Sequence, residues 1–135
     1  MGALLFIGTI TMEQLLAHLV GDYILQSHDM AVNKTKNSYW AAYHAVMYTL
    51  PFILLTHNLL ALLVICSTHF LIDRFRVAVY ITKLKNYIFG KLDTSIFDLA
   101  NGYPEETPAW LSTWLIIILD NTMHLIINYL ALLIK

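Results

Sequence analysis

Residues 67–73 are Ser67-Thr68-His69-Phe70-Leu71-Ile72-Asp73, a histidine and an aspartate set within an apolar run. A histidine and a carboxylate four residues apart lie on one face of a helix, one turn from each other. On both sides, from Leu59 to Ile81, the chain is mostly apolar. The pair is therefore carried by a segment that reads as membrane-spanning. Ionisable groups at such depth are costly and mark functional sites.

Other apolar stretches surround this one. The chain has 135 residues, 59% of them hydrophobic and 13% charged, with a mean hydropathy of +0.64. These values lie outside the norm for soluble domains, and several stretches approach the roughly 20 residues that a membrane helix requires. The predicted fold is all-α: a polytopic membrane helical bundle of about four transmembrane helices, one domain over residues 1–135. A formal net charge of −1, with no basic stripe, excludes a nucleic-acid binder. A single cysteine, Cys66, excludes an internal disulfide and a CxxC metal knuckle and reads as a small packing residue.

The first helix is expected from Ala3 to about Gln26. His18, Asp22 and Gln26 make one polar stripe on it, and Gly21 admits a neighbouring backbone. It lacks a basic start and is interrupted by Glu13, His18 and Asp22, so it reads as mature protein and not as a signal peptide. The polar stretch Ser27–Ser38 leads to a second helix, Tyr39 to about Thr56, kinked at Pro51. The third helix runs from Leu59 to about Ile81, with Arg74 and Arg76 in its final turns. In the connection from Thr82 to Ala109, Tyr87-Ile88-Phe89 and Ile96-Phe97 suggest a short interfacial helix. The fourth helix is Trp110 to Ile134, with Trp110 and Trp114 at the membrane interface. Lys34, Lys36, Lys83, Lys85 and Lys91 fall in the two longer loops. Four spans with cytoplasmic basic loops place both termini outside the cytoplasm.

The polar groups inside these spans are His18 and Asp22, His44, His69 and Asp73, and Asp120 and His124. Three expected helices thus carry a His/Asp pair at i, i+4. Two ligands one turn apart on a helix converge on one point, as in zinc-binding helices, and imidazole and carboxylate are the usual ligands of a catalytic zinc or related ion. All seven groups are metal-ligand candidates, lying in the half of the bundle nearer the two loops. Zinc is the first choice, with manganese or iron as alternatives. Seven groups exceed the three protein ligands of a catalytic zinc. Either two ions share the cluster, or some carboxylates orient ligating imidazoles. Asp73 and Asp120 are the candidate catalytic carboxylates, and Gln26 and Lys34 are candidates for holding substrate. The bland alternative is that each pair is a self-satisfied hydrogen bond that glues the bundle.

The pattern His18-Leu-Val-Gly-Asp22-Tyr-Ile-Leu-Gln26, Asn33-Lys34, His44, Thr68-His69-Phe-Leu-Ile-Asp73 and Asp120-x-x-x-His124 resembles a family of small bacterial and phage inner-membrane proteins, domain of unknown function 3307. The resemblance covers nearly the whole chain and implies a bacterial inner-membrane location. In style the chain is also similar to the membrane-bound metal-dependent hydrolases of bacteria. The expected function is a membrane-embedded metal-dependent hydrolase acting on a phosphoester or acyl bond of a lipid or other amphiphile. The competing readings are a metal-ion or proton transporter and a membrane interaction protein with structural His/Asp pairs. A bundle this small is also a candidate for self-association.

Overall fold

Backbone signals in the sequence cut the apolar stretches into shorter helices than hydropathy suggests. The computed structural model describes residues 12–90 and 100–134. Helix α1 covers residues 12–19 and continues into a wider π-helical turn, Val20–Ile24, that carries Gly21 and Asp22. Ser27 then stops it and starts α2 (His28–Asn33): its hydroxyl accepts from Met30 N–H at 3.3 Å, an N-cap worth about 1 kcal/mol. Asn37 caps α3 (Ser38–Thr49) in the same way, accepting from Tyr39 N–H at 2.8 Å.

Pro51 has no N–H to donate, and α3 gives way to a 3-10 turn over Leu50–Leu54. Asn58 restarts the chain as α4 (Leu59–Phe75), its side-chain oxygen accepting from Leu60 and Ala61 N–H at 2.9 and 3.2 Å. Arg76 takes a left-handed conformation, φ 53°, which a residue with a side chain adopts at a cost. Beyond it a separate helix, α5 (Val77–Gly90), begins. The last helix, α6, is Ala109–Leu132.

The expectation of four transmembrane spans is overturned. Among the described residues only α6, with 24 residues, is long and apolar enough to cross a membrane. Helices α3, α4 and α5 have 12, 17 and 14 residues. At 1.5 Å per residue they reach roughly 18, 26 and 21 Å against a hydrocarbon core of about 30 Å. The expected third span is the clearest case, because Arg76 divides Leu59–Ile81 into two helices. With four spans gone, the multi-pass inner-membrane topology and its outward termini lose their basis. Tyr87-Ile88-Phe89, expected in a loop with an interfacial helix, belongs to α5. Ile96-Phe97, Lys91 and the start of the expected first helix lie outside the described residues.

The chain divides into two units, one ending at Phe75 and resuming at His124, the other Arg76–Met123. In the first unit, Ala17, Tyr48, Phe52, Ile65 and Ala131 form the apolar core, joining α1, α3, the 3-10 turn, α4 and the end of α6. Gly21 is where α1 comes closest to α3: a Cβ there would lie 2.7 Å from Tyr48 O and 2.8 Å from its ring. Arg74 ties the end of α4 to the turn between α2 and α3, donating to Thr35 O at 2.9 Å and Ser38 Oγ at 3.1 Å.

In the second unit, a turn around Gly102 (φ 78°) lies on α5 so closely that a Cβ would sit 2.6 Å from Val79 O. Lys85 donates to Tyr103 Oη at 2.9 Å, Asn86 to Gly102 O at 3.2 Å, and Arg76 to Ala100 O.

Candidate metal centre

Three short elements of the first unit aim four polar side chains at one point. The π-helical turn of α1 supplies Asp22, α3 supplies His44, and α4 supplies His69 and, one turn later, Asp73. All four are buried, and each offers a ligand atom within 4.8 Å of the others. A π-turn is a common local distortion at functional sites, and this one carries Asp22 beside the closely packed Gly21.

The separations are those of a coordination shell. His44 Nε2 lies 3.0 Å from His69 Nε2, 3.1 Å from Asp22 Oδ1 and 3.3 Å from Asp73 Oδ2. His69 Nε2 lies 3.5 Å from Asp22 Oδ1 and 3.2 Å from Asp73 Oδ2. Ligands about 2.1 Å from a tetrahedral ion stand roughly 3.4 Å apart. Hydrogen bonding alone serves the arrangement poorly. His44 Nε2 also lies 3.4 Å from Lys34 Nζ, so one ring nitrogen faces four polar groups while holding one proton or one lone pair. Nδ1 of His44 and of His69 have no hydrogen-bond partner among the described residues. These rings are held by packing instead. His69 stacks on Tyr48 with centroids 3.6 Å apart and lies 4.2 Å from the His124 ring.

The charges are arranged to suit a cation. Burial pushes the Asp22 carboxyl up, but the hydrogen bond with His44 and the neighbouring His69 and Lys34 outweigh it and lower it to about 2. Burial likewise opposes ionisation of Asp73, yet hydrogen bonds with His124, His44 and His69 hold it well below the usual carboxylate range. Burial depresses His69 to about 4, against the pull of Asp73, so this imidazole is neutral with a lone pair to give. His44 is raised: burial works against the charged ring, and Asp22 and Asp73 overcome it.

The remaining candidates take other places. His18 is fully buried behind Asp22, with Nε2 3.7 Å from Asp22 Oδ2. Its Nδ1 meets Tyr48 Oη at 2.8 Å, and Asn128 donates to the same hydroxyl at 2.6 Å. The hydroxyl proton is thereby directed to Nδ1, leaving His18 with an N–H that faces Asp22. His18 orients a ligand, as histidines and carboxylates behind metal sites do. His124, on α6, places Nε2 3.5 Å from Asp73 Oδ1. Asp120 lies one turn earlier on α6, half-buried, in the portion belonging to the second unit. Gln26 is half-buried just past the π-turn, its Oε1 enclosed without a hydrogen-bond partner among the described residues. Lys34 reaches the cluster directly, its Nζ 2.8 Å from Asp73 Oδ2. Tyr48 was not among the expected site residues. It follows His44 by one turn of α3, the same spacing that links each His/Asp pair, and that continuation is the signal for it.

The chain matches the family model described as protein of unknown function (DUF3307) over residues 10–134, and belongs to that family. No curated protein and no solved structure matches it.

Proposed function

We propose that this member of a family of unknown function is a metal-dependent hydrolase, whose ion is bound by Asp22, His44 and His69 with Asp73 beside it. One observation carries the reading: five donor-to-donor separations among these four residues fall between 3.0 and 3.5 Å. Zinc suits two imidazole nitrogens and carboxylate oxygen at tetrahedral spacing, and manganese or iron are the alternatives.

A catalytic ion keeps a position open, which four protein ligands would close. Asp73 is the ligand with other engagements, Oδ2 toward Lys34 and Oδ1 toward His124. Asp22, His44 and His69 would then hold the ion, with Asp73 beside them. A divalent ion there would supply Lewis-acid polarisation and lower the pKa of a bound water. Asp73, ionised and next to both ring nitrogens, is the group placed to take up a proton there. His18, with Tyr48 and Asn128 behind it, keeps Asp22 turned inward.

The substrate we propose is an amphiphile with a phosphoester or acyl bond, met at a membrane. The support is a buried polar cluster in a chain that also exposes many large apolar side chains. The buried set includes His18, His44, His69, His124 and Asn128, while Leu54, Leu59, Trp110, Trp114 and Ile118 are exposed. Exposed apolar side chains in such number mark a contact with membrane or partner, and α6 is long enough to cross a membrane. The test is hydrolysis of phosphoester and acyl-ester amphiphiles by zinc-loaded protein. Turnover that a chelator abolishes and Asp22→Ala lowers by more than the roughly 10–100-fold that loss of a residue behind a metal ligand costs is expected. Turnover indifferent to both rejects the proposal.

A further inference from the structure

Every member of the cluster is sealed from solvent except Lys34. The side chains of Asp22, His44, His69, Asp73 and His124 are 8, 0, 1, 4 and 2% exposed, and that of Lys34 is 19% exposed. Its ammonium nevertheless sits among the ligand atoms, 2.8 Å from Asp73 Oδ2 and 3.4 Å from His44 Nε2. The backbone that carries it is fixed: Lys34 N–H donates to Met30 O at 2.9 Å, Asn33 Nδ2 to Asp29 O at 3.0 Å, and Arg74 to Thr35 O at 2.9 Å. The ammonium itself is carried on a flexible four-carbon stem, and its side chain is the most exposed of the six.

We propose that Lys34 is a displaceable internal cation that selects an anionic substrate. This rests on the metal-centre reading above. In the ion-free protein the ammonium neutralises Asp73 from within the ligand set. A divalent ion bound to Asp22, His44 and His69 would share Asp73 with the ammonium at a separation of a few ångströms. Two cations that close repel strongly in a site shielded from water. The ammonium would swing away from Asp73, leaving a gap bounded by two positive centres. A group with oxygens for both centres and negative charge to match them fills that gap. A phosphate group meets both requirements, and a neutral carboxylic ester does not. On this reading the substrate is a phosphoester, whose charged oxygens Lys34 would hold beside the ion.

The test uses the full chain in neutral-detergent micelles, titrated first with zinc and then with inorganic phosphate, in wild type, Lys34→Gln and Lys34→Arg. The expected result has two parts. Lys34→Gln binds zinc in the absence of phosphate more tightly than wild type, because the competing cation is gone. Its zinc-loaded form binds phosphate at least about tenfold more weakly, the loss of one charge-assisted hydrogen bond, and Lys34→Arg recovers part of the affinity. Vesicles of phosphatidylcholine with and without phosphatidic acid separate the two sources of phosphate. A Lys34-dependent preference for phosphatidic acid, competed by free phosphate, assigns a lipid headgroup, whereas phosphate binding without that preference assigns a soluble ester. Unchanged phosphate affinity in zinc-loaded Lys34→Gln overturns the role of Lys34 and leaves the metal centre standing. A wild-type chain that takes up no ion overturns both.

Discussion

Nε2 of His44 and Nε2 of His69 face each other at 3.0 Å, from α3 and α4, with a carboxylate oxygen of Asp22 and of Asp73 within 3.5 Å of both. Two imidazole lone pairs at that distance repel unless a proton or a cation lies between them. One shared proton satisfies the histidines and leaves two buried carboxylates with Lys34 to balance. A divalent ion satisfies all four residues together.

If the ion belongs there, it stabilises the fold. Zinc at a hundred times its dissociation constant adds about 2.7 kcal/mol, a rise in melting temperature on the order of 10 °C for a chain of this size. Thermal unfolding with zinc and then with excess chelator measures it. The gain shrinks on acidification, because protons compete for the imidazoles. A melting temperature that zinc leaves in place contradicts the prediction.

Tyr48→Phe keeps the ring that stacks on His69 and removes the hydroxyl that joins His18 to Asn128. Two buried polar groups then lose a partner, which costs on the order of 1–3 kcal/mol. His18 also loses the contact that turns its N–H toward Asp22, so zinc affinity falls by about tenfold or more. Calorimetric zinc titration of the folded variant decides between this and a purely structural hydroxyl, which would lower stability and leave affinity alone.

Gly21→Ala drives a methyl group to 2.7 Å from the Tyr48 carbonyl oxygen. Backbone is a poor neighbour to push aside, and overpacking of this kind costs about 1–3 kcal/mol. Because Tyr48 is the neighbour displaced, zinc affinity should fall along with the unfolding midpoint in denaturant. An alanine variant as stable as wild type would mean that α1 and α3 do not approach as described.

Gly102→Ala tests the second unit by itself. The substitution meets both a φ of 78° and the Val79 carbonyl oxygen at 2.6 Å, and residues held in the left-handed region cost about 1–3 kcal/mol before any clash. The turn should detach from α5, exposing the Asn86 and Lys85 contacts. Faster amide exchange at residues 82–86, with zinc affinity unchanged, is the expected outcome. Loss of zinc binding would show that the two units depend on each other.

The pairing of His69 with Asp73 on one face could be read from spacing, because a period of four residues keeps polar groups on one helical face whatever the length of the helix. His44 stands alone on its helix, and its place beside them could not be read. The close approach at Gly21 could be read as well, since a missing side chain in an apolar helix invites a neighbour. Helix length could not. Hydropathy averages over many residues, and the run from Leu59 to Ile81 conceals one backbone angle at Arg76 that ends α4. Pro51 reads as a kink in a long helix, yet with Asn58 available as a new cap the chain turns instead. Spacing also does not tell a ligand from a residue behind it. His18 and His69 each stand four residues before an aspartate, and only the Tyr48 hydroxyl shows which one faces inward.

Whether these side chains hold an ion is read from the metal content of the purified protein. Protein purified with zinc present and then freed of loose metal should retain about one ion per chain, and His44→Ala, folded by circular dichroism, should retain none. Wild-type protein without stoichiometric metal, or a His44→Ala variant that holds as much as wild type, would contradict the metal centre.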